Sequence, residues 1–481
     1  MIQISVARLV QVFVSIISMR VMTTLLSPDA VGVVAIALSI SVMFNLSLVN
    51  PIWMYILRKV HAWQRGGLLS RRILFAFSWY LLVVSVLAFL ALVAANHFGW
   101  RIKNSDGWVF VTVALHFASF SVASTIPLLL NNLGKVSIAA GLNGGIAVAS
   151  LAGCIFMIKL IGPTPSAWLF GLSAGYVAIS IVGLPQFIRI MREKAVGYQE
   201  DTSRNEDLKN SVRFAVPLAV SVLFSWGQLH GYRFIMADAL GTFRLGIFFS
   251  GYALGAAVVS TVENVLIQYF QPMFYKRVSV AEPHATAAAW EEYSARVLPA
   301  LFLCVAFVAG AAPFLSKVLL GPEFQSAAEF AVWGASVEAL RAAFAVFSLS
   351  AHAQTRTRSL MSANALASAT AGGLAFILIQ YWAEVGVGIA LIISFFISIA
   401  AVYFQLGRGT HMPVKSRTIW DTVVTVVFVS GISLVLRMCI PGNLSLGAAI
   451  NGLVLLSGAF LVSLGFITRL VPAIAWRMPW H

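Results

Sequence analysis

The chain has 481 residues, of which 60% are hydrophobic and only 10% charged, and its mean hydropathy is +0.89. Soluble globular proteins carry about 25% charged residues, so this chain cannot clothe a water-facing surface of its size. It also holds far too much apolar side chain for disorder. A polytopic membrane protein remains.

Segments of about 20 mainly apolar residues, the length needed to cross the hydrocarbon as a helix, occur fourteen times in chain order. They lie at roughly 4–26, 31–57, 73–95, 108–131, 136–160, 166–190, 212–238, 245–271, 297–320, 327–350, 360–381, 385–406, 418–440 and 446–469. The first contains Arg8 and Arg20, and the seventh contains the polar run Ser225-Trp-Gly-Gln-Leu-His-Gly-Tyr-Arg233. No small-residue cleavage site closes the first segment, so a cleavable signal peptide is not expected. The polar stretch at about 192–211 reads as a cytoplasmic linker between two halves, 1–191 and 212–407, with two extra spans and a tail over 408–481.

The charge is lopsided, with 32 Lys and Arg against 17 Asp and Glu, net +15. In a soluble chain that excess points to nucleic acid. Here it reads as the positive-inside bias of cytoplasmic loops, and no nucleic-acid partner is expected. Even-numbered connections carry Arg58, Lys59, Arg71 and Arg72, then Lys135, then Arg189, Arg192 and Arg213, and the pattern continues to Arg469 and Arg477. Odd-numbered connections hold Arg101, Lys103, Lys159, Arg244, Lys317 and Arg437. Both termini are therefore expected in the cytoplasm. Cys154, Cys304 and Cys439 lie in separate apolar runs and read as packing residues, so neither a disulfide nor a metal site is expected, and no cofactor.

The two halves share an order of features. After Arg20 come Leu26-Ser-Pro-Asp-Ala-Val-Gly32, an apolar span, Asn50-Pro51 and the basic pair Arg58-Lys59. After Arg233 come a short loop ending at Gly246, an apolar span, Gln271-Pro272 and Lys276-Arg277. Six spans per copy is an even number, so duplicated halves share one orientation. Two six-helix lobes related by a pseudo-twofold axis along the membrane normal follow, with two C-terminal helices outside the repeat.

Three stretches carry a family resemblance. The opening spans with Arg20, the Leu-Ser-Pro-Asp-Ala-Val-Gly loop and Arg58-Lys59 resemble the start of Wzx-like polysaccharide flippases, members of the multidrug/oligosaccharidyl-lipid/polysaccharide exporter superfamily. Leu315-Ser-Lys-Val-Leu-Leu-Gly-Pro-Glu-Phe-Gln-Ser-Ala327 is similar to that family's ninth span and following loop, and Leu128-Leu-Leu-Asn-Asn-Leu-Gly-Lys135 to its fourth connection. The resemblance covers about residues 1–410. It implies a multi-pass protein of the bacterial inner membrane that flips polyprenyl-diphosphate-linked oligosaccharide for surface polysaccharide assembly (exopolysaccharide, lipopolysaccharide O-antigen or capsule). It also implies contact with membrane lipids and with polymerase or export machinery, and a monomer is expected.

A charged side chain at mid-bilayer costs at least about 2.5–3.5 kcal/mol, so those inside spans are functional candidates. Arg8 can snorkel to the headgroups or face a cavity with Gln11, Ser15 and Ser18, and Arg20 stands about 120° around the same helix. Trp226, His230 and Arg233 are spaced four and three and form one helical stripe. A ring that stacks on a sugar and a guanidinium fork for phosphate suit a sugar diphosphate, while an interfacial aromatic with a snorkelling Arg is the structural alternative. Arg233 matches Arg20 in the repeat, so one arginine from each half could grip an anion.

Among the acids, Glu338 and Arg341 are three apart and read as a structural ion pair. Glu263, with no partner nearby in sequence, is the candidate ion-coupling carboxylate. His116 reads as a relay or, more simply, a hydrogen-bonded packing residue. Two other functions compete. A membrane polymerase or ligase would need a sizeable external catalytic segment, whereas the longest external loop is about a dozen residues, so the chain is not expected to be an enzyme. An ion-coupled multidrug exporter on the same fold would favour cavity carboxylates, which the N-terminal half lacks within its spans.

Overall fold

The structure is a computed structural model that describes residues 2–65, 68–97, 102, 105–192, 204–278, 283–353, 357–406, 420, 423–424, 426–432 and 445–468. Among these the chain is helical throughout its regular structure. The helices are α1 (Ile2–Leu25), α2 (Pro28–Phe44), α3 (Asn50–Arg65), α4 (Ser78–His97), α5 (Val109–Asn132), α6 (Val136–Ile161) and α7 (Pro165–Met191). They continue with α8 (Arg204–His230), α9 (Tyr232–Ala239), α10 (Gly241–Val278), α11 (Pro283–Leu319), α12 (Ala328–Ala353) and α13 (Thr357–Leu406). The last, here α14, is Leu446–Thr468.

Eleven helical stretches among the described residues are long and apolar enough to cross a membrane. They coincide with the expected spans two to ten and fourteen, and one stretch, Leu360–Gln405, covers spans eleven and twelve together. That stretch is a hairpin. Ser362 and Gln405 exchange side-chain hydrogen bonds at 3.2–3.3 Å, although a straight helix would hold them about 65 Å apart. The reversal falls at Trp382–Ala383, where Ala383 takes φ 46°, ψ −127°. Helix α1 occupies the first expected span, and most of the expected span at 418–440 lies outside the described residues.

Local chemistry sets where the spans start and bend. Ser27 and Thr164 cap α2 and α7 by accepting the N–H of Ala30 and Ala167, and Pro28 and Pro165 open the helices where a missing N–H costs nothing. At Asn45–Val49 the ladder widens into a π-helical turn in which the Asn50 N–H reaches back to the Asn45 carbonyl. Pro51 follows and donates no N–H, which removes the bond that would resume the regular ladder at once.

The chain divides into two compact units, the first comprising residues to Trp226 with Gly241–Gly246, the second Gly227–Leu240 with Ile247 onward. In the first unit α1 packs on α6, α2 on α5 and α7, and α6 along α7. Gly153, Gly171 and Gly175 let the α6 and α7 backbones touch, since a Cβ at any of them would overlap main-chain atoms opposite. The ends of α3, α4, α5 and α7 close on a core that includes Trp53, Tyr55, Trp63, Phe77 and Phe187, with the Arg58 guanidinium 4.6 Å over the Phe214 ring. In the second unit α11 packs on both α12 and α14, and α13 on α9 and α12. The Phe307 and Phe460 rings are 4.9 Å apart at the α11–α14 seam.

Candidate functional site

The second unit buries an ionic cluster between α10 and α12. These helices meet through small residues: a Cβ at Gly251 or Gly255 would collide with the carbonyls of Ala327 or Ala331, and one at Gly334 with that of Tyr252. Such close backbones keep the two helices adjacent for the next turns, where Glu263 and Arg341 project. Arg341 holds the Glu338 carboxylate on its Nε at 2.9 Å and the Glu263 carboxylate on Nη2. The Glu263 and Glu338 side chains are 7% and 14% exposed and that of Arg341 is 28% exposed, so two largely covered carboxylates share one half-buried guanidinium.

The sequence separates Glu263 from any partner. The fold supplies one 78 residues away in the chain, and Arg341 bridges both acids instead of serving Glu338 alone. Tyr252 of α10 lies within electrostatic reach of Glu338, Arg341 and Arg233, and Tyr293 of α11 within reach of Glu263. Neither tyrosine stands out in the sequence, because a single Tyr in an apolar run carries no spacing signal.

Arg233 lies in α9 and is buried at 8% exposure. Its guanidinium sits 4.8 Å over the Phe249 ring and 5.7 Å from the Tyr232 ring, and its Nε–H donates to the Tyr232 hydroxyl at 3.4 Å. Cation–π contacts of this kind are worth about 2 kcal/mol when desolvated, which allows a guanidinium inside the span. The Tyr232 and Tyr252 rings are 5.9 Å apart, so a run of contacts joins Arg233 to Tyr252 and thence to the ionic cluster. His230 is half-buried and within electrostatic reach of Arg233. Two residues earlier, the buried Gln228 donates to Ser394 and Ser398 of α13 at 3.1 and 3.3 Å.

The stripe Trp226, His230, Arg233 is divided between the units. Trp226 belongs with the first, where its indole N–H donates to the Ser39 carbonyl at 2.9 Å, and the other two belong with the second. Arg20 is half-buried on α1, and its carbonyl accepts the hydroxyls of Thr23 and Thr24. Arg8 also lies on α1, but its side chain falls outside the described residues, as does Cys439.

The first unit carries a hydrogen-bonded polar cluster of its own. Between α2 and α5, Ser41 is hydrogen-bonded to the His116 Nδ1 at 2.7 Å, and one turn further Asn45 donates to Ser121 at 3.1 Å. His116 is buried between the Phe120 and Tyr176 rings. Among the described residues no group of three His, Cys, Asp or Glu is placed to hold a metal ion.

A multi-pass helical membrane fold in two units, with polar clusters held between paired spans, is the class that these features define. Solved structures share it. A lipid II flippase MurJ in an inward closed conformation aligns over 98% of this chain and 100% of its own, with a TM-score of 0.64 and 12% identity. A MOP superfamily transporter from Pyrococcus furiosus, described by the reverse polarity of its binding pocket, aligns over 84% and 94% with a TM-score of 0.54 and 13% identity. An inward-facing multidrug resistance MATE family transporter of the same superfamily aligns over 83% and 95%, with a TM-score of 0.53 and 15% identity. No protein-family profile and no curated protein sequence matches the chain. At these identities the likeness is one of fold alone, a fold that this chain shares with those solved transporters.

Proposed function

We propose that the protein is a flippase that moves polyprenyl-diphosphate-linked oligosaccharide across the bacterial inner membrane by alternating access, for surface polysaccharide assembly. The observation that carries this reading is Arg233, a guanidinium buried inside a span and held against Phe249 and Tyr232. A buried cation flanked by aromatic faces suits a diphosphate joined to a sugar. On this reading His230, within electrostatic reach of Arg233, assists at the anion. The basic loops favour cytoplasmic termini, and a polymerase or export partner would receive the flipped product at the outer leaflet.

A second reading, an ion-coupled multidrug exporter, draws on Glu263 and Glu338, two intramembrane carboxylates of the kind that an organic cation would seek. Arg341 already occupies both, which favours the anionic substrate. The description of the Pyrococcus furiosus transporter indicates that pocket polarity varies on this fold.

The test is a deletion strain examined for lipid-linked oligosaccharide stranded on the cytoplasmic leaflet. Complementation by the wild-type chain but not by Arg233→Ala supports the flippase. Unchanged glycan export with altered drug susceptibility supports the exporter.

A further inference from the structure

Where α10 ends and α11 begins, the second unit holds an open pocket of about 240 Å³. Phe270, Met273 and Phe274 line it from α10, and Glu292, Tyr293 and Arg296 from α11. The apolar stretch of α10 ends at Lys276 and that of α11 begins at Ala287. The pocket therefore stands where the two spans meet the headgroup layer, beside the basic pair Lys276-Arg277 of their connection.

Its floor is aromatic. Phe270 and Phe274 are buried, the Phe274 and Tyr293 rings are 5.9 Å apart, and the Arg296 guanidinium stands 5.3 Å over the Phe270 ring. Arg296 Nη1 donates to the Glu292 carboxylate at 2.8 Å, both side chains being half-buried. The ring and the carboxylate hold the guanidinium in place, and among the described residues no other hydrogen bond uses its remaining donors. Tyr293 is buried, and among the described residues its hydroxyl makes no hydrogen bond. A covered donor of this kind gains from an oxygen partner.

A cation and an anion side by side over aromatic rings match a ligand that carries a phosphate beside an ammonium. The phosphate would accept from Arg296 and Tyr293, and the ammonium would donate to Glu292, whose two oxygens accept several hydrogen bonds. The glycerol end would rest on Phe270 and Met273. Site and ligand are each neutral overall, so no charge is left uncompensated, whereas a lipid of net negative charge would set its excess against Glu292. The volume is below the roughly 300–1,000 Å³ that encloses a drug-sized molecule, so the pocket takes a headgroup and leaves the acyl chains in the bilayer. We propose that this pocket is a phospholipid site that reads an ethanolamine phosphate headgroup through Arg296 and Glu292.

The experiment is native mass spectrometry of the full-length protein in detergent, titrated with dioleoyl phosphatidylethanolamine or dioleoyl phosphatidylglycerol, with the apparent Kd of the first adduct as readout. The wild-type chain should bind the ethanolamine lipid about tenfold more tightly than the glycerol lipid, and Glu292→Gln should abolish that preference. Arg296→Ala should weaken the ethanolamine lipid about tenfold, as expected for loss of a charge-assisted hydrogen bond. Met273→Trp, at an exposed wall residue outside the ion pair, fills the pocket and should weaken it as much. An ethanolamine-lipid affinity that survives Met273→Trp overturns the proposal. So does a wild-type chain that binds the glycerol lipid as tightly or more tightly, since the basic connection alone would then account for the contact.

Discussion

Gly32 and Gly246 stand against each other in a reciprocal contact. A Cβ on Gly32 would overlap the Thr242 carbonyl, and a Cβ on Gly246 would overlap the Pro28 carbonyl. Gly246 follows Gly32 by 214 residues, and Thr242 follows Pro28 by the same interval. The contact is therefore its own image under exchange of the two segments, as a local twofold requires. Asp29 and Thr242 close it with a side-chain hydrogen bond at 2.7 Å. An order of residues read along the chain as a repeat thus meets itself in space at this point.

Replacing either glycine by alanine should cost about 1–3 kcal/mol, the range for inserting a methyl into a packed site. Because both changes part the same pair of backbones, the double variant should lose less than the sum of the two singles. Thermal unfolding of the four proteins in one detergent measures this, and additive losses would argue against a shared contact.

Arg341→Met leaves Glu263 and Glu338 buried without their cation and should destabilise the protein by about 3–5 kcal/mol. Adding Glu263→Gln and Glu338→Gln to that variant should recover much of the loss, since no uncompensated charge remains. The Tm values of the wild-type chain, Arg341→Met and the triple variant decide it. A stable Arg341→Met protein would mean that water reaches the cluster.

At Arg233 the charge and the aromatic seat should separate. Arg233→Lys keeps the cation but loses the planar fork, so glycan export should fall without vanishing, whereas Arg233→Ala should abolish it at unchanged protein level. Phe249→Leu removes one supporting ring and should weaken export less than Arg233→Ala does. Complementation of the deletion strain, normalised to membrane protein content, gives the ranking.

Ala383→Gly should stabilise the protein by about 1 kcal/mol. Ala383 holds φ 46°, ψ −127° at the hairpin reversal of α13, a conformation that costs a side chain and suits glycine. A rise in Tm with unaltered transport is the expected result, and a fall would place the reversal at another residue.

Features that depend on neighbouring residues are legible along the chain. Membrane class and the spans follow from hydropathy, because each span must satisfy its own backbone over about 20 residues. The pairing of Glu338 with Arg341 is equally local, because three residues bring side chains onto one face. The tertiary structure alone decided which distant residues share a site. Glu263 looks solitary along the chain, yet close glycine packing of α10 on α12 delivers Arg341 to it. Trp226, His230 and Arg233 look like one functional stripe, yet their partners divide them between the units. Hydropathy and helical period record which way a side chain faces on its own helix, and they carry no information on which helix is packed opposite.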